Sequence, residues 1–401
     1  MDGMILPNAD WRHRDGLDRL GEVLGADKGL SRFVGGAVRD ALLELPVADI
    51  DIATRHQPED VIDLLRRAGI RAVPTGLAHG TITAVLESGP VEVTTLRRDV
   101  STDGRRATVA FTDDWREDAA RRDFTMNALY ADPRTGELFD YFGGLADLEA
   151  RRVRFIGDPL QRIAEDHLRI LRFFRFLARF GDVPDPAGLE ACTARAKDLM
   201  ALSRERIADE LLKLLVAKHA ARVVRLMVDR GIFLPVLPEI AAEGVERLDG
   251  LATSESAAGE TPDAIRRLAA LLPPDPATAD SVGARLKLSN AQRRRLITAV
   301  SPFPPGTPQA LAYRLGTESG VDILLLGGRI EDAASVRDWP VPRIPLTGGA
   351  LVERGLSKGP EVARALRTVE DRWIAEGFPD AARIEVIADE VVAQALRSVK
   401  S

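Results

Sequence analysis

The alternation of hydrophobic and polar residues changes type within the first third of the chain. Residues 81–86 and 91–96 are rich in β-branched side chains and are separated by a Ser-Gly-Pro turn signal, which predicts a two-stranded hairpin. A short apolar run at 109–111 follows residues 99–107, which are polar and which we predict to form a loop. After residue 158 nearly every segment has helical periodicity. The change predicts an α+β head followed by an all-helical remainder.

Three other segments have a predicted form. Residues 31–55 have the pattern of a strand, a glycine turn, a helix, a second turn and a second strand. The pattern of residues 115–130 is helical. Within the helical part, residues 252–262 are polar and predict a linker.

Composition narrows the class of protein. With 401 residues the chain is long enough for two to four domains, and 45% of its residues are hydrophobic. No stretch approaches the ~18 uncharged apolar residues of a membrane span. Cys192 is the single cysteine, which excludes an internal disulfide and a cysteine-based zinc cluster and fits a reducing cytoplasm. The five histidines are scattered, so a metal here would be a hard cation held by carboxylates. The net charge of -6 argues against indiscriminate nucleic-acid binding, although a local basic track remains compatible with it.

The first candidate site begins at a glycine pair. Gly35 and Gly36 follow an apolar strand and open a helix, so the backbone can approach a ligand and present free N–H groups. Arg39 lies one turn into that helix and could add charge to a phosphate.

Acidic residues on the neighbouring strands complete this first site. Asp49 and Asp51 are two residues apart on a strand and therefore face the same side. Two adjacent carboxylates are costly without a cation, and one or two Mg²⁺ ions would supply it and orient an in-line attack on phosphorus. Glu92, on a later strand, is either a third carboxylate of this site or part of a solvated strand face. An Asp-x-Asp pair alone is common by chance, but its order after the glycine pair favours a site.

The second candidate site lies in the segment AARRDFTMNALY. On the predicted helix, Arg122, Asp123 and Asn127 share a face, where Arg122 would suit a triphosphate and Asn127 a sugar hydroxyl. Taken in isolation, the segment is better explained as an amphipathic helix with a surface arginine pair.

The third candidate site is a basic helix. Asp158 and Pro159 form a helix start, and the residues after them predict one continuous helix to about residue 180. Its polar stripe consists of Asp166, Arg169, Arg172 and Arg175. Eight arginines between 151 and 180 face only three acidic residues, as expected for a phosphate or RNA track. An exposed helix stabilised by salt bridges is the alternative.

Together the three sites resemble the class II template-independent nucleotidyltransferases, which include the bacterial CCA-adding tRNA nucleotidyltransferases and poly(A) polymerases. The matching text is VGGAVRDALL, DIDIAT, HGTITAV, VEVTTLRRD, RRDFTMNAL and EDHLRILRFFRF, with a weaker match in SRERIADELLKLL and in the C-terminal GPEVARALRTVEDRWIAEGF. The resemblance implies a polymerase-β-like head with a mixed or antiparallel sheet, followed by a helical neck, body and tail. We accordingly expect a catalytic head over 1–150, a base-selecting neck over 151–220 and a tRNA-binding body and tail over 221–401.

The resemblance also implies roles for individual residues. Asp49 and Asp51 would hold catalytic Mg²⁺. The phosphates would contact Gly36, Arg39 and Arg122. Asp166 and Arg169 would select the base, and Arg172 and Arg175 would complete that pocket. In this family a loop like 99–107 is linked to the switch from C to A addition.

The activity implied is addition of C, C and A to the 3′ end of tRNA from CTP and ATP, with release of pyrophosphate. Three specialists remain open, namely an A-adding enzyme, a CC-adding enzyme and a poly(A) polymerase. A non-catalytic RNA-binding protein is expected to lack Asp49 and Asp51, which are present. A small-molecule nucleotidyltransferase would not need so many helical residues carrying arginine. No His-Asp phosphohydrolase signature follows the head, so we predict no attached phosphatase activity. The oligomeric state is open.

Overall fold

A computed structural model describes residues 5–103, 106–302 and 306–398 of the chain. It divides the chain into two compact units, residues 1–238 and residues 239–401. No helix in these described ranges is long and apolar enough to cross a membrane.

The described part of the first unit contains a seven-stranded mixed sheet. Its strands and those of two small sheets are β1 (Ser31–Val34), β2 (Asp51–Thr54), β3 (Arg71–Gly76), β4 (Thr81–Leu86), β5 (Gly89–Thr95), β6 (Arg97–Asp103), β7 (Arg106–Phe111), β8 (Leu129–Ala131), β9 (Leu138–Asp140), β10 (Arg152–Val153) and β11 (Val183–Pro184). The order across the main sheet is β3-β4-β5-β2-β1-β8-β9. Its pairs are antiparallel except β2 with β5, which is parallel. The expected α+β head with a mixed sheet is confirmed.

Helices of the first unit cover this sheet and continue beyond it. They are α1 (Leu17–Val23), α2 (Gly36–Leu42), α3 (Pro58–Arg67), α4 (Trp115–Ala120), α5 (Gly144–Glu149), α6 (Pro159–Glu165), α7 (Arg169–Phe180), α8 (Pro186–Ala194), α9 (Arg204–Leu215) and α10 (Ala220–Asp229). Short 3₁₀ turns cover Asp10–His13, Ala26–Lys28, Leu77–His79, Thr125–Asn127 and Ala196–Ala201. Ile52 of β2 and Val91 and Val93 of β5 are buried, whereas Asp51, the first residue of β2, is only half-buried.

The predicted loop 99–107 is wrong over its described part. β6 and β7 pair as an antiparallel hairpin in which Asp103 is opposite Arg106, while Gly104 and Arg105 lie outside the described residues. β-branched residues in both arms favour strand structure. The sequence signal was therefore present but was outweighed by the polar composition.

The predicted helix 115–130 is also wrong in its second half. α4 ends at Ala120, and the chain then forms a 3₁₀ turn and the strand β8. Asp123 accepts hydrogen bonds from the backbone N–H of Phe124 (2.8 Å) and from Asn127 Nδ2 (2.9 Å). Such local bonds from an aspartate compete with helical hydrogen bonding. The three polar residues therefore lie together in this structure without sharing a helix face.

The single helix predicted from Asp158 is interrupted. Asp158 caps α6 through a bond from the Leu160 N–H, as expected, but α6 ends at Glu165. Asp166 is extended, with φ −151° and ψ 107°, and α7 begins at Arg169. The stripe from Asp166 to Arg175 therefore spans two helices and the break between them. Apolar periodicity continues across such a break, which is why the pattern alone did not reveal it.

Phenylalanines join α7 to the end of the head. The ring centroids of Phe124 and Phe155 are 4.9 Å apart, and those of Phe124 and Phe176 are 5.1 Å apart. Phe155 and Phe173 stack with an interplanar angle of 6°. Offset aromatic pairs of this kind add about 0.5–1.5 kcal/mol each beyond area burial, so the head and α7 form one packed body.

The second unit is helical throughout its described residues. Its helices are α11 (Ala242–Ala258), α12 (Ala264–Leu271), α13 (Pro276–Arg285), α14 (Asn290–Val300), α15 (Pro308–Leu315), α16 (Thr317–Leu326), α17 (Ile330–Val336), α18 (Gly348–Glu353), α19 (Pro360–Ala375) and α20 (Ala381–Ser398). The predicted linker 252–262 is wrong because α11 continues through residue 258. Glu255 in this stretch is buried and paired with Arg266 and Arg267. A polar segment can therefore be buried when its charges are paired, as that of Glu255 is here.

Candidate active site

Carboxylates gather at the edge of the sheet where β2 begins. Asp49 is exposed just before the strand, and Asp51 is half-buried as its first residue. Glu92 is exposed on β5 directly opposite Asp51 in the parallel register. Burial, reinforced by the charges of Glu92 and Asp49 and opposed by Arg122, raises the pKa of Asp51 to about 6. Negative charge is therefore in excess at this edge.

The donor set at this edge fits a hard divalent cation. Among the described residues, no group of three or more His, Cys, Asp or Glu side chains is arranged to hold a metal by itself. Mg²⁺ in proteins typically takes only one or two carboxylates and completes its coordination with water and substrate phosphates. Asp49 and Asp51 would supply two such carboxylates, and a bound cation would relieve the burial and repulsion that raise the pKa of Asp51.

The glycine turn is shaped by Arg122. Gly35 has φ 70° and ψ −123°, and a Cβ there would lie 3.4 Å from Arg122 Nη1. The Gly35 N–H donates to the Leu129 carbonyl at 3.2 Å, which ties the turn to β8. A positive φ and a tight neighbour together explain glycine at this position. Gly36 begins α2 and has no such constraint.

Arg122 is held by a carboxylate that the sequence analysis did not single out. Its Nη2 lies 3.2 Å from Asp118 Oδ2, and its Nη1 donates to the Asn127 carbonyl at 3.5 Å. Its buried Nε has no hydrogen-bond partner among the described residues. The Arg122 side chain is 19% exposed, so the exposed part of a guanidinium already fixed by a carboxylate can meet an anion.

Asp118 itself is a fully buried hub. It accepts hydrogen bonds from Arg121 Nε (2.9 Å) and the Tyr130 hydroxyl (2.7 Å), besides its contact with Arg122. Burial raises the pKa of Asp118, but the two arginines and Tyr130 outweigh burial and lower it to about 2. Asp118 therefore stays ionised and fixes Arg122.

Arg39 is bonded inside the protein. It is 6% exposed, its Nη2 lies 2.6 Å from Asp40 Oδ1, and its Nη1 donates to Asn127 Oδ1 at 2.6 Å. Its guanidinium carbon lies 4.2 Å from the centre of the Phe180 ring. Burial, partly offset by Asp40, lowers the pKa of Arg39. These contacts give Arg39 a structural role in addition to the phosphate contact that we predicted.

Asp123 connects the head to α7. Its Oδ2 accepts two hydrogen bonds from Arg172, from Nε at 2.8 Å and from Nη2 at 2.6 Å. Asn127 donates to Asp123 and accepts from Arg39, so both ends of its amide are occupied by protein. Burial raises the pKa of Asp123, but Arg172 and the other hydrogen bonds outweigh burial and lower it.

The predicted base-selecting residues are all paired with protein groups. Arg169 donates to Glu165 Oε2 (2.6 Å) and to the Arg121 carbonyl (3.2 Å). Arg175 Nε donates to Glu210 Oε2 at 2.5 Å, and Asp166 accepts two bonds from Arg206. Arg206 and Glu210 are functional candidates that the sequence analysis missed. The signal for them was SRERIADELLKLL, which resembles the family only weakly.

Comparison with known proteins decides the family. Residues 31–154 match the family described as "Poly A polymerase head domain", and residues 184–243 match "Probable RNA and SrmB- binding site of polymerase A". The Mus musculus protein named CCA tRNA nucleotidyltransferase 1, mitochondrial, is 37% identical over 385 residues, covering 91% of this chain and 87% of the relative. This chain belongs to the CCA tRNA nucleotidyltransferase family. The family resemblance and the assignment as a nucleotidyltransferase are thereby confirmed.

Further relatives agree with the family. The CCA-adding enzyme of Limosilactobacillus fermentum is 34% identical over 367 residues, covering 86% of this chain and 88% of the relative. The crystal structure of the Bacillus stearothermophilus CCA-adding enzyme in complex with CTP has a TM-score of 0.72 and 26% identity, and covers 90% of this chain and 93% of that one. A Thermotoga maritima CCA-adding enzyme complexed with tRNA has a TM-score of 0.68 at 19% identity, covers 98% and 99%, and shows the shared fold. Membership of the family implies dependence on a divalent metal.

Proposed function

We propose that this protein adds C, C and A to the 3′ end of tRNA from CTP and ATP without a nucleic-acid template. The observation that carries the proposal is the excess of carboxylate charge at the start of β2, where Asp51 lies opposite Glu92 and follows Asp49. That edge lies within a head of the same family as the CCA tRNA nucleotidyltransferases.

The reaction is a nucleotidyl transfer. The oxygen of the RNA 3′ hydroxyl forms a bond to the α-phosphorus, the bond from that phosphorus to the bridging oxygen of the β-phosphate breaks, and pyrophosphate leaves. The hydroxyl proton is released to solvent. Asp49 and Asp51 would hold Mg²⁺, and Glu92 would add negative charge beside them. When bound, Mg²⁺ supplies Lewis-acid activation and neutralises charge on the phosphates.

Arg122 is the residue we assign to the triphosphate. Asp118 fixes it from one side, and 19% of the Arg122 side chain remains exposed to a ligand. Gly35 and Gly36 leave space for the phosphates beside it, and Arg39 supports the same turn through Asn127. Catalysis then consists mainly of positioning and charge stabilisation.

Asp166 and Arg169 are the residues we assign to selection of the base, with Arg172 and Arg175 completing the pocket. Cytosine and adenine each present an exocyclic amino group beside a ring nitrogen that accepts a hydrogen bond. Asp166 would accept from the amino group, and Arg169 would donate to the ring nitrogen. Uracil and guanine place a carbonyl where the amino group should be, so buried partners would be left unpaired.

Three assignments complete the proposal. The head, neck, and body with tail correspond to residues 1–150, 151–220 and 221–401, with the last of these contacting tRNA. The metal is Mg²⁺, since the site offers only carboxylate oxygens. The compartment is a reducing cytoplasm, consistent with the buried free thiol of Cys192.

Product length tests the activity. Purified protein is given a tRNA lacking its CCA end together with CTP, ATP or both. We expect two added residues with CTP, almost none with ATP, and three with both. Absence of C incorporation would refute the assignment.

Poly(A) synthesis is the second candidate, because both matched families carry descriptions that refer to poly(A) polymerase. The same assay separates the two activities when a generic RNA is added as a second substrate. Unlimited A addition to that RNA would favour poly(A) synthesis, and termination after one A on tRNA would favour CCA addition.

A further inference from the structure

We propose that Arg206 is a positioning residue for nucleotide selection, which orients the carboxylate of Asp166 and thereby sets the preference for CTP and ATP over UTP and GTP. This inference rests on the proposed function. It concerns a residue on α9, outside the segments that supply the nucleotide site.

One guanidinium nitrogen of Arg206 contacts both carboxylate oxygens of Asp166. Arg206 Nη2 lies 3.1 Å from Asp166 Oδ1 and 2.8 Å from Asp166 Oδ2. Both side chains are partly buried, with 27% of Arg206 and 29% of Asp166 exposed. The guanidinium therefore engages both carboxylate oxygens at the rim of the site, where the carboxylate remains accessible to a ligand.

The backbone conformation of Asp166 does not by itself fix the direction of its side chain, so a partner is needed to orient it. It lies in the extended break between α6 and α7, so no helical turn restricts its side chain. Its Oδ1 also accepts the Leu168 N–H at 3.1 Å, which fixes one oxygen but leaves the carboxylate plane to Arg206. A charged nitrogen that contacts both oxygens, together with the Leu168 N–H on one of them, restricts rotation of the carboxylate.

Arg169 does not take this role in the structure. Its Nη1 donates to Glu165 Oε2 at 2.6 Å and to the Arg162 carbonyl at 2.9 Å. The two groups that we assign to the base are therefore held apart, each by its own partner. Arg206 holds the carboxylate of Asp166 in place to accept a hydrogen bond from the base, while Arg169 stays in place to donate one.

α9 is suited to this positioning because it is firmly anchored. Ile207, Leu211 and Leu214 are buried on its inner side. One turn after Arg206, Glu210 accepts a hydrogen bond from Arg175 at 2.5 Å and lies 3.6 Å from Arg172. The same face of α9 thus places the guanidinium of Arg206 beside Asp166 and the carboxylate of Glu210 beside the arginines of α7. Selection by hydrogen bonding requires this kind of fixed geometry.

Substitution of Arg206 tests the proposal through the ratio of two nucleotides. We compare wild type, Arg206→Gln and Arg206→Lys by kcat/KM for CTP and for UTP on a tRNA lacking CCA. Arg206→Gln should lower the CTP-to-UTP ratio by about tenfold or more, because an unfixed carboxylate discriminates less between amino and carbonyl groups. Arg206→Lys should restore the charge but only part of the ratio.

The matched control is Lys213→Gln on the same helix. Lys213 Nζ lies 2.7 Å from Asp209 in an exposed i,i+4 pair, so this variant breaks a salt bridge of α9 away from the site. It should retain the wild-type ratio. If Arg206→Gln lowers kcat/KM equally for CTP and UTP, Arg206 only stabilises the fold and the proposal is overturned.

A double-mutant cycle shows whether Arg206 acts through Asp166. In an Asp166→Asn background, Arg206→Gln should leave the ratio unchanged, because the group it orients is already altered. Independent, additive effects of the two changes would overturn the proposal. The wild-type enzyme separates the two hypotheses, since failure of wild type to add C would refute the proposed function, whereas an active wild type with an unaltered Arg206→Gln ratio would refute only this inference.

Discussion

Acidic residues serve opposite purposes in a buried cluster of the second unit and at the start of β2 in the first. In the second unit Asp322 is fully buried and receives Arg266 Nε at 2.8 Å and Arg295 Nε at 2.6 Å. Glu255 is paired with Arg266 at 2.9 Å and with Arg267 at 2.8 Å. In the first unit Asp51 lies next to other carboxylates, and burial with Glu92 raises its pKa to about 6.

The difference teaches how charge distinguishes a scaffold from a site. Each carboxylate of the second-unit cluster has two arginine partners, so its charge is compensated and its removal exposes the partners. The carboxylates at the start of β2 repel one another, and because the pKa of Asp51 stays raised despite the charge of Arg122, their charge is only partly compensated within the protein. An uncompensated charge is costly to the fold, and such costs are typical of functional sites.

The largest effect should follow loss of the paired carboxylates. Replacing Asp49 and Asp51 together with alanine should reduce nucleotide incorporation about a thousandfold or more, because positioning and charge stabilisation at phosphorus are lost. Binding of tRNA, measured by gel shift, should remain near wild type. Persistent incorporation would show that the metal assignment is wrong.

The compensated cluster should respond in stability. Asp322→Asn should lower the free energy of unfolding by about 3 kcal/mol, because Arg266 and Arg295 then lose a buried partner. Urea unfolding of the full chain measures this. Asp371→Asn, which breaks the exposed pair with Arg314, is the control and should change stability by less than about 0.5 kcal/mol. Equal effects of the two substitutions would contradict the account.

Asp118 should make the first unit sensitive to acid. Its pKa is about 2 in the fold against 3.8 for an ordinary aspartate, so the folded state binds the proton more weakly than the unfolded state. Its stabilising contribution, about 2 kcal/mol, is present above pH ~4 and is lost as pH falls toward ~2. Urea unfolding between pH 5 and pH 2.5 should show a shallower loss for Asp118→Asn than for wild type; identical pH dependences would refute this.

A smaller effect should appear at Asp123, which joins the head to α7. Asp123→Asn retains the bond with Asn127 but weakens both bonds from Arg172. We expect kcat/KM for CTP to fall about tenfold, mainly through KM, because a charge-assisted pair supporting the nucleotide pocket is weakened. Steady-state kinetics with CTP measures this, and a fall in kcat alone would contradict it.

The sequence predicted the elements that have short-range signals. The strand–glycine–helix–strand order at 31–55, the hairpin 81–96 and the cap at Asp158 follow from patterning and from turn and capping residues, and all are present. The hairpin turn itself lies one position earlier than the Ser-Gly-Pro signal, since Leu86 pairs with Gly89. The family motifs also led to the correct class of enzyme.

The errors have a common physical origin in contacts between distant residues. Glu255 looks like part of a linker until Arg266 and Arg267 neutralise it. Asp166 looks helical until its partner, Arg206, is seen 40 residues away. The bond that Arg39 donates to Asn127, 88 residues away, also leaves no local signal, and the phosphate contact of Arg39 stays a prediction. Periodicity reports the local environment and carries no information on such partners.

The most direct test measures the melting temperature of Asp51→Asn. It asks whether the carboxylates at the start of β2 repel one another in the free protein and bind a cation. In EDTA the substitution should leave the melting temperature unchanged or raise it, because repulsion between the carboxylates is relieved. The corresponding gain in the free energy of unfolding is at most about 1 kcal/mol. Added Mg²⁺ with CTP should then stabilise wild type but not Asp51→Asn. A lower melting temperature for Asp51→Asn in EDTA, or a wild type that does not respond to Mg²⁺ and CTP, would contradict the account.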